Sequence, residues 1–320
     1  MRYLYQLADS LAELTVVASY CSPGIKIRRK LFSDSDMDVD MTDRVVIVTG
    51  ANSGLGRATC QELGRRNATV VLACRNPESG ERAAAELREE FPKATFHLEL
   101  VDLADRTSLR QFISRIQSTY KALDVLVNNA GVLLPKRSET ADGIETTFAT
   151  NVLSGFILTE HLMPLLAASG SGRVINVTSG GMYTQRYQVD DPEFRDGSFD
   201  GVRAYAQTKR AQVILTELWA EKIRATETSV TVNCMHPGWA ATPGVRKSLP
   251  GFYNALQSIL RTPEEGADTI AWLAISSAAP AFNGQLFFDR AVRRTHVFPR
   301  TRISNTARAR LWNYCAERSD

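Results

Sequence analysis

Hydrophobic positions along the chain fall into short continuous runs separated by longer segments of helical period. Val45 to Val48 is a β-branched run that ends in Thr49-Gly50, the pattern of a strand covered on both faces in a parallel sheet. A glycine turn and a helical pattern follow it. The same unit recurs as Thr69 to Ala73 with Pro77 to Glu90, Thr95 to Leu100 with Arg106 to Tyr120, and Val125 to Asn128 with Gly143 to Leu166. Arg173 to Val177, Ser229 to Met235 and Gln285 to Phe288 supply further strands, and a strongly periodic helix opens at Tyr205 and runs to about Ala225. Strands alternating with helices imply right-handed βαβ crossovers. The fold class expected is α/β: a doubly wound parallel sheet of about seven strands flanked by helices, in a single domain with an N-terminal extension. Ligands in this architecture sit beyond the carboxyl ends of the strands.

The two ends are patterned differently. The first twenty residues are apolar, but Asp9 and Glu13 interrupt them and Arg2 is a thin positive flank. That supports neither a membrane span nor a cleaved signal peptide, and suits an amphipathic helix packed on the body. Lys26, Arg28, Arg29 and Lys30 then precede Asp34, Asp36, Asp38 and Asp40. The run reads as a solvated linker, with contact to an anionic membrane surface as the alternative. The arginines at the far end, Arg290, Arg293, Arg294, Arg300, Arg302, Arg308 and Arg310, are spread out and read as surface charge. The expected organisation is an extension and linker over 1–42, a main domain over 43–290 and an arginine-rich tail over 291–320.

Composition narrows the partners. The chain has 320 residues, is 44% hydrophobic and 23% charged, and carries a net charge of +3. Those values exclude fibrous and wholly disordered classes and demand no nucleic-acid partner. Five cysteines without C-x-x-C spacing and four histidines without H-x-x-x-H spacing argue against a disulfide framework, a zinc ribbon and a metal centre. The dispersed thiols suit an intracellular, reducing compartment, cytoplasmic or peripheral to a membrane.

Candidate chemistry lies at the strand ends. Thr49-Gly50-Ala51-Asn52-Ser53-Gly54-Leu55-Gly56 joins the first strand to its helix. Gly50 permits a turn that a Cβ would obstruct, while Gly54 and Gly56 let the backbone approach a pyrophosphate and the helix approach the sheet. Many strand-to-helix turns hold glycine for steric reasons alone, so the position after the first buried strand carries the weight. At the end of the second strand, where an acidic residue would receive the ribose hydroxyl of NAD, stands Arg75. A guanidinium pairs with a 2′-phosphate, which favours NADP (NADPH) over NAD; the alternative is an exposed loop arginine. Asp102, with Leu103 beside it, follows the third strand, where a carboxylate can accept from an adenine amino group. Asn129-Ala130-Gly131 follows the fourth, with small residues that leave room for a cofactor; its asparagine is alternatively a turn former.

Ser179 ends the fifth strand, and Tyr205 and Lys209 share one helix face at i and i+4. A free phenol has a pKa near ~10, and a nearby ammonium with a cationic nicotinamide would stabilise its phenolate. Tyr205 is then a candidate general acid/base, and Ser179 a hydroxyl that steadies the developing oxyanion. Y-x-x-x-K alone is frequent on helix surfaces; the ordered set is restrictive.

That set, the glycine turn, Asp102, Asn129-Ala130-Gly131, Asn151, Ser179, Tyr205, Lys209 and Pro237-Gly238, resembles the short-chain dehydrogenase/reductase family over about Asp43 to Asp289. The resemblance implies a Rossmann-type sheet and an NAD(P)-dependent oxidoreductase. It also implies that Asn151 holds a water linking Lys209 to solvent, that Lys209 binds the nicotinamide ribose, and that Pro237, Gly238 and Thr242 border the nicotinamide. The separation of Ser179 from Tyr205 is longer than in the simplest members, as in retinol-dehydrogenase-like relatives. Met182, Tyr183, Tyr187 and Phe199 in the added segment form either an apolar wall over a hydrophobic substrate or ordinary packing, and Phe252, Tyr253 and Leu256 either the opposing wall or a packed helix. Family members often associate through the helices carrying Asn151 and Tyr205, which implies a homo-oligomer. The reading that results is an NADP-preferring oxidoreductase acting on a hydrophobic aldehyde, ketone or alcohol, retinoid- or steroid-like. Its rival is a non-catalytic dinucleotide-binding adaptor or redox sensor.

Overall fold

Val45–Thr49 (β1), Thr69–Cys74 (β2), Thr95–Leu100 (β3), Val125–Asn128 (β4), Arg173–Val177 (β5), Thr231–Met235 (β6), Leu286–Phe288 (β7) and Ala291–Arg293 (β8) form one sheet, in a computed structural model that describes residues 16–226 and 228–319. The order is β3-β2-β1-β4-β5-β6-β7-β8. All neighbours pair in parallel except β7 and β8. The order reverses between β1 and β4, so their carboxyl ends open the crevice where a doubly wound sheet takes its ligand.

Alternate side chains of the strands feed two cores, as a period of two requires. Ile47, Val71, Leu126 and Val174 point toward Phe112, Phe148, Phe156, Leu162 and Trp219. Val46, Val48, Val70 and Leu72 point toward Leu63, Leu87, Ile270 and Trp272 on the other face. The helix over 146–168 is long and apolar enough to cross a membrane by length and composition, with a mean hydropathy of 1.2, but 56% of its window is buried inside the protein. It is a core helix that carries Asn151.

The sheet has one strand more than the seven expected. β7 and β8 form a hairpin whose two turn residues, Asp289 and Arg290, both take positive φ (51° and 57°). This is the backbone of the turn type that suits a tight hairpin, and glycine or asparagine normally supplies it. Here ion pairs hold it instead. Asp289 lies between Arg28 (2.7 Å) and Arg261 (2.6 Å), and the Arg290 guanidinium grips Asp268 through two bonds of 2.8 and 2.7 Å.

In the basic run expected as a solvated linker, Lys26, Arg29 and Lys30 are exposed, but Arg28 is corrected by the same pairs. Ser22–Arg28 is helical, Cys21 and Ile25 are buried, and Arg28 is 2% exposed. A solvated arginine becomes a buried one because Asp289 and the Ser19 carbonyl and hydroxyl take its guanidinium. Met1 to Thr15, read as amphipathic, lies outside the described residues. At the other end the helix Asn305–Ala316 packs Trp312 edge-on against Phe156 and Trp219. Arg308 and Arg290, expected as surface charge, are paired with Glu221 and Asp268.

Candidate active site

The glycine turn takes its shape from its neighbours. Gly50 and Gly54 have φ of +65° and +54°, and a Cβ on Gly56 would stand 2.3 Å from the Gly50 carbonyl oxygen. Thr49 knits this turn to the end of β4: its Oγ1 accepts from the backbone amides of Asn129 (2.9 Å) and Ala130 (3.0 Å). Asn129 Nδ2 returns to the Thr49 carbonyl at 2.7 Å, so this asparagine bridges strands as well as turning the chain. Ser53 is exposed at the start of the Gly54–Gly64 helix and makes no side-chain cap. Asn52 donates to Ser79 (3.0 Å) and fixes the turn against the next helix. Leu55 sits against Gly266 and Thr242 against Gly54.

Beyond β2, Arg75 is exposed. Asp102 follows β3 and accepts from the Ala104 amide (2.9 Å), and Leu103 is partly buried on the core. Helix-start amides without a side-chain cap among the described residues, three glycines and a carboxylate at the third strand end fit a dinucleotide lying across the switch point.

The catalytic candidates converge on the other side of that point. Lys209 is 2% exposed and its Nζ donates to the Val177 carbonyl at 2.9 Å, while lying 5.5 Å from the centroid of the Tyr205 ring. Thr178 Oγ1 ties the Lys209 carbonyl to the end of β5 at 2.7 Å. The neighbourhood closes around Gly131, where a Cβ would stand 3.2 Å from Lys209 Nζ and 3.3 Å from Asn151 Oδ1. Asn151 lies in a π-helical stretch, Ala149–Leu153, a local widening frequent at functional sites. Its side chain bonds Val132 from both atoms (2.8 and 2.9 Å) and Thr208 Oγ1 (3.0 Å). Its main-chain carbonyl accepts from Gln212 Nε2 at 2.8 Å, and a carbonyl oxygen carries two lone pairs.

Burial dominates the titration of the pair. It pushes the Tyr205 phenol up, and a hydrogen bond with Ser179 opposes it. The lowering expected from the Lys209 ammonium does not outweigh burial, because burial also pushes the amine down, to about 7. The unfolded lysine titrates near ~10.4, so between there and about 7 the unfolded chain binds the extra proton and stability rises with pH. The penalty is complete below about 7. Lys209→Met is therefore expected to raise stability by about 3 kcal/mol at pH ~6.5, with the gap closing toward pH ~10. Thermal and urea unfolding at the two pH values measures this; a variant less stable at the lower pH contradicts it.

Several supports carried no sequence signal. Arg210 is fully buried and donates to the Met182 carbonyl from Nε (3.0 Å) and Nη2 (2.7 Å), fixing the loop after Ser179. Burial lowers that guanidinium to about 10. Thr178, Thr208 and Gln212 orient Lys209 and Asn151. Of the two readings left open for the added segment, packing accounts for part of it. Met182 and Tyr187 are buried in the cores, and Tyr183 gives its hydroxyl to the Arg294 carbonyl (2.8 Å). Phe199 packs on Phe194 at 5.9 Å. Trp239 and Phe252 pack edge to face at 5.2 Å on the segment that leads from Pro237 and Gly238 through Thr242. Ser248 hangs that segment on the Leu133 carbonyl at 3.1 Å, across the crevice.

A family model described as short chain dehydrogenase matches residues 44–251. Dehydrogenase/reductase SDR family member 12 of Bos taurus is 42% identical over 90% of this chain and 89% of its own length. Retinol dehydrogenase 12 of Homo sapiens is 35% identical over 88% and 87%. Among solved structures, a chain from Escherichia coli CFT073 described as a short chain dehydrogenase complexed with NADPH aligns with a TM-score of 0.64 and 26% identity, over 81% of this chain and all of the other.

Proposed function

The chain belongs to the short-chain dehydrogenase/reductase family, and from that premise we propose that it is an NADP-preferring enzyme for a hydrophobic aldehyde, ketone or the corresponding alcohol. Its relatives indicate an NAD(P)-dependent oxidoreductase acting on CH–OH or C=O groups. The observation that carries the proton-transfer reading is that Lys209 Nζ and Asn151 Oδ1 close on Gly131, with the Tyr205 ring centroid 5.5 Å from Lys209 Nζ.

A bound nicotinamide would supply or accept the hydride. Tyr205 then gives its phenolic proton to the carbonyl oxygen in reduction, or takes it from the alcohol in oxidation. Ser179, hydrogen-bonded to that phenol, orients the same oxygen and stabilises its developing charge. Lys209 lies beside the Tyr205 ring and would hold the ribose of a bound coenzyme, and its amine, lowered to about 7, becomes fully charged once a phenolate or other anion arrives. The Asn151 carbonyl offers its remaining lone pair to a water that joins Lys209 to solvent. Gly50, Gly54 and Gly56 admit the pyrophosphate, Asp102 the adenine, and Pro237, Gly238 and Thr242 the nicotinamide edge. Trp239 and Phe252 give the substrate an apolar seat. The five cysteines are buried and free, which suits a reducing compartment.

Coenzyme choice rests on Arg75, an exposed guanidinium at the end of β2 with no ion pair among the described residues. A charge-assisted bond to a 2′-phosphate contributes up to about 3 kcal/mol. Arg75→Asp is therefore expected to weaken NADPH binding about 100-fold and to change NADH binding by less than about threefold. Titration calorimetry with both coenzymes measures it, and an unchanged NADPH constant removes the phosphate role.

A further inference from the structure

The N-terminal segment reaches the site from outside the residues that the family model matches. Tyr20 lies between the loop after β5 and the loop after β6. On one side a Cβ on Gly180, the residue after Ser179, would stand 2.3 Å from Tyr20 Cε1. On the other the Tyr20 ring stacks on His236 at 4.9 Å and leans on Trp239 at 5.7 Å. Its carbonyl accepts the Trp239 amide at 2.8 Å and lies 2.6 Å from where a Cβ on Gly238 would be. Arg261 holds the far side of that turn, its Nη1 donating to the Pro237 carbonyl at 3.3 Å and its amide to the Trp239 carbonyl at 2.8 Å, while Pro237 has no N–H to give and, among the described residues, the Gly238 amide meets His236 Nδ1 at 3.4 Å. The segment itself is fixed from below: the Ser19 carbonyl takes Arg28 (3.1 Å) and Arg261 (3.0 Å), which share Asp289.

We infer that Tyr20 is a positioning residue: it sets the separation between the Ser179 loop and the Pro237–Gly238 turn, and so the seat of the nicotinamide ring. The inference rests on the proposed function for where the nicotinamide lies. It requires that Tyr20 act on the nicotinamide half of the coenzyme and leave the adenosine half alone, since Arg75, Asp102 and the glycine turn belong to other strand ends. Loss of an aromatic spacer between two loops frees both by fractions of an ångström, and supports of this kind typically matter about 10- to 100-fold.

The test compares Tyr20→Ala and Tyr20→Phe with the unaltered chain, using NADPH against 2′,5′-ADP and NADH against ADP as paired probes. Tyr20→Ala is expected to weaken binding of the full coenzyme about tenfold while the adenosine half binds within about twofold, and Tyr20→Phe to restore the coenzyme. Gly180→Ala, which displaces the same ring without removing it, is expected to reproduce the selective loss and provides a second route if Tyr20→Ala folds poorly. Equal losses for both members of a pair, or no loss for either, overturn the inference and leave Tyr20 as packing. The readout is binding, so it stands apart from turnover: if Tyr205→Phe keeps full activity the proton assignment fails, while the Tyr20 comparison still gives its own answer.

Discussion

Tyr205→Phe lowers kcat for a hydrophobic aldehyde by about 10³-fold and leaves coenzyme affinity within about threefold, because a positioned proton donor typically contributes about 10²- to 10⁴-fold. The variant removes one oxygen and keeps the ring. Lys209 keeps its bond to the Val177 carbonyl (2.9 Å) and Asn151 its bonds to Val132 and Thr208. The altered atom is thus the one that exchanges a proton, and the bonds that hold Lys209 and Asn151 do not use it. The same substitution releases the Ser179 hydroxyl from its phenol partner, so Ser179→Ala combined with Tyr205→Phe should cost less than the two single losses together. Steady-state oxidation of NADPH by the single and double variants measures both statements. Near-normal turnover of Tyr205→Phe on a true substrate removes the assignment.

Asp289→Ala is expected to cost the folded state about 4 kcal/mol. The carboxylate sits between Arg28 and Arg261, with side chains no more than 2% exposed in either pair. Breaking a buried pair from one side leaves an uncompensated charge, typically about 3–5 kcal/mol, and here two guanidinium groups are left at once. The turn would also lose the anchor of its left-handed Asp289 (φ 51°). Burial alone would raise this carboxyl, but the hydrogen bonds and charges of Arg261 and Arg28 outweigh it and hold it below the usual range. A lowered carboxyl contributes its full stability above its unfolded value near ~4 and loses it as pH falls through the folded value. The gap between the unaltered chain and Asp289→Ala should therefore be widest at neutral pH and shrink on acidification below about 4. Denaturant titration across that range checks it, and a gap that does not depend on pH contradicts the ionised-carboxylate account.

The two predictions fall on either side of what the sequence made legible. β1 and β4 were readable because both faces of each are buried, which leaves short unbroken runs of valine, isoleucine and leucine. Tyr205 and Lys209 were readable because one helix turn sets their geometry whatever lies around them. Ser179 and Asn129 were readable from their places at strand ends. Asn151 was found by family pattern, but the π-helical stretch that aims its carbonyl at Gln212 has no local signature. β8 was missed because its turn lacks glycine and owes its positive φ to ion pairs. One of those pairs joins Arg28 to Asp289 across 261 positions, a separation that charge patterning cannot bridge. For the same reason a run of bases that looked solvated turned out to hold a buried guanidinium, and of the aromatic residues after Ser179, which the sequence left open between wall and packing, Tyr187 is core while Tyr183 and Phe199 are partly buried.

The measurement that bears most directly on the central claim is label transfer from NADPH deuterated at C4 to a panel of aldehydes and ketones graded by chain length, with products read by mass spectrometry. The expected result is a carbon-bound deuterium in the alcohol from at least one apolar carbonyl, lost in Tyr205→Phe. Tight binding of NADPH with no label in any product across the panel would contradict the claim and favour a non-catalytic dinucleotide-binding role.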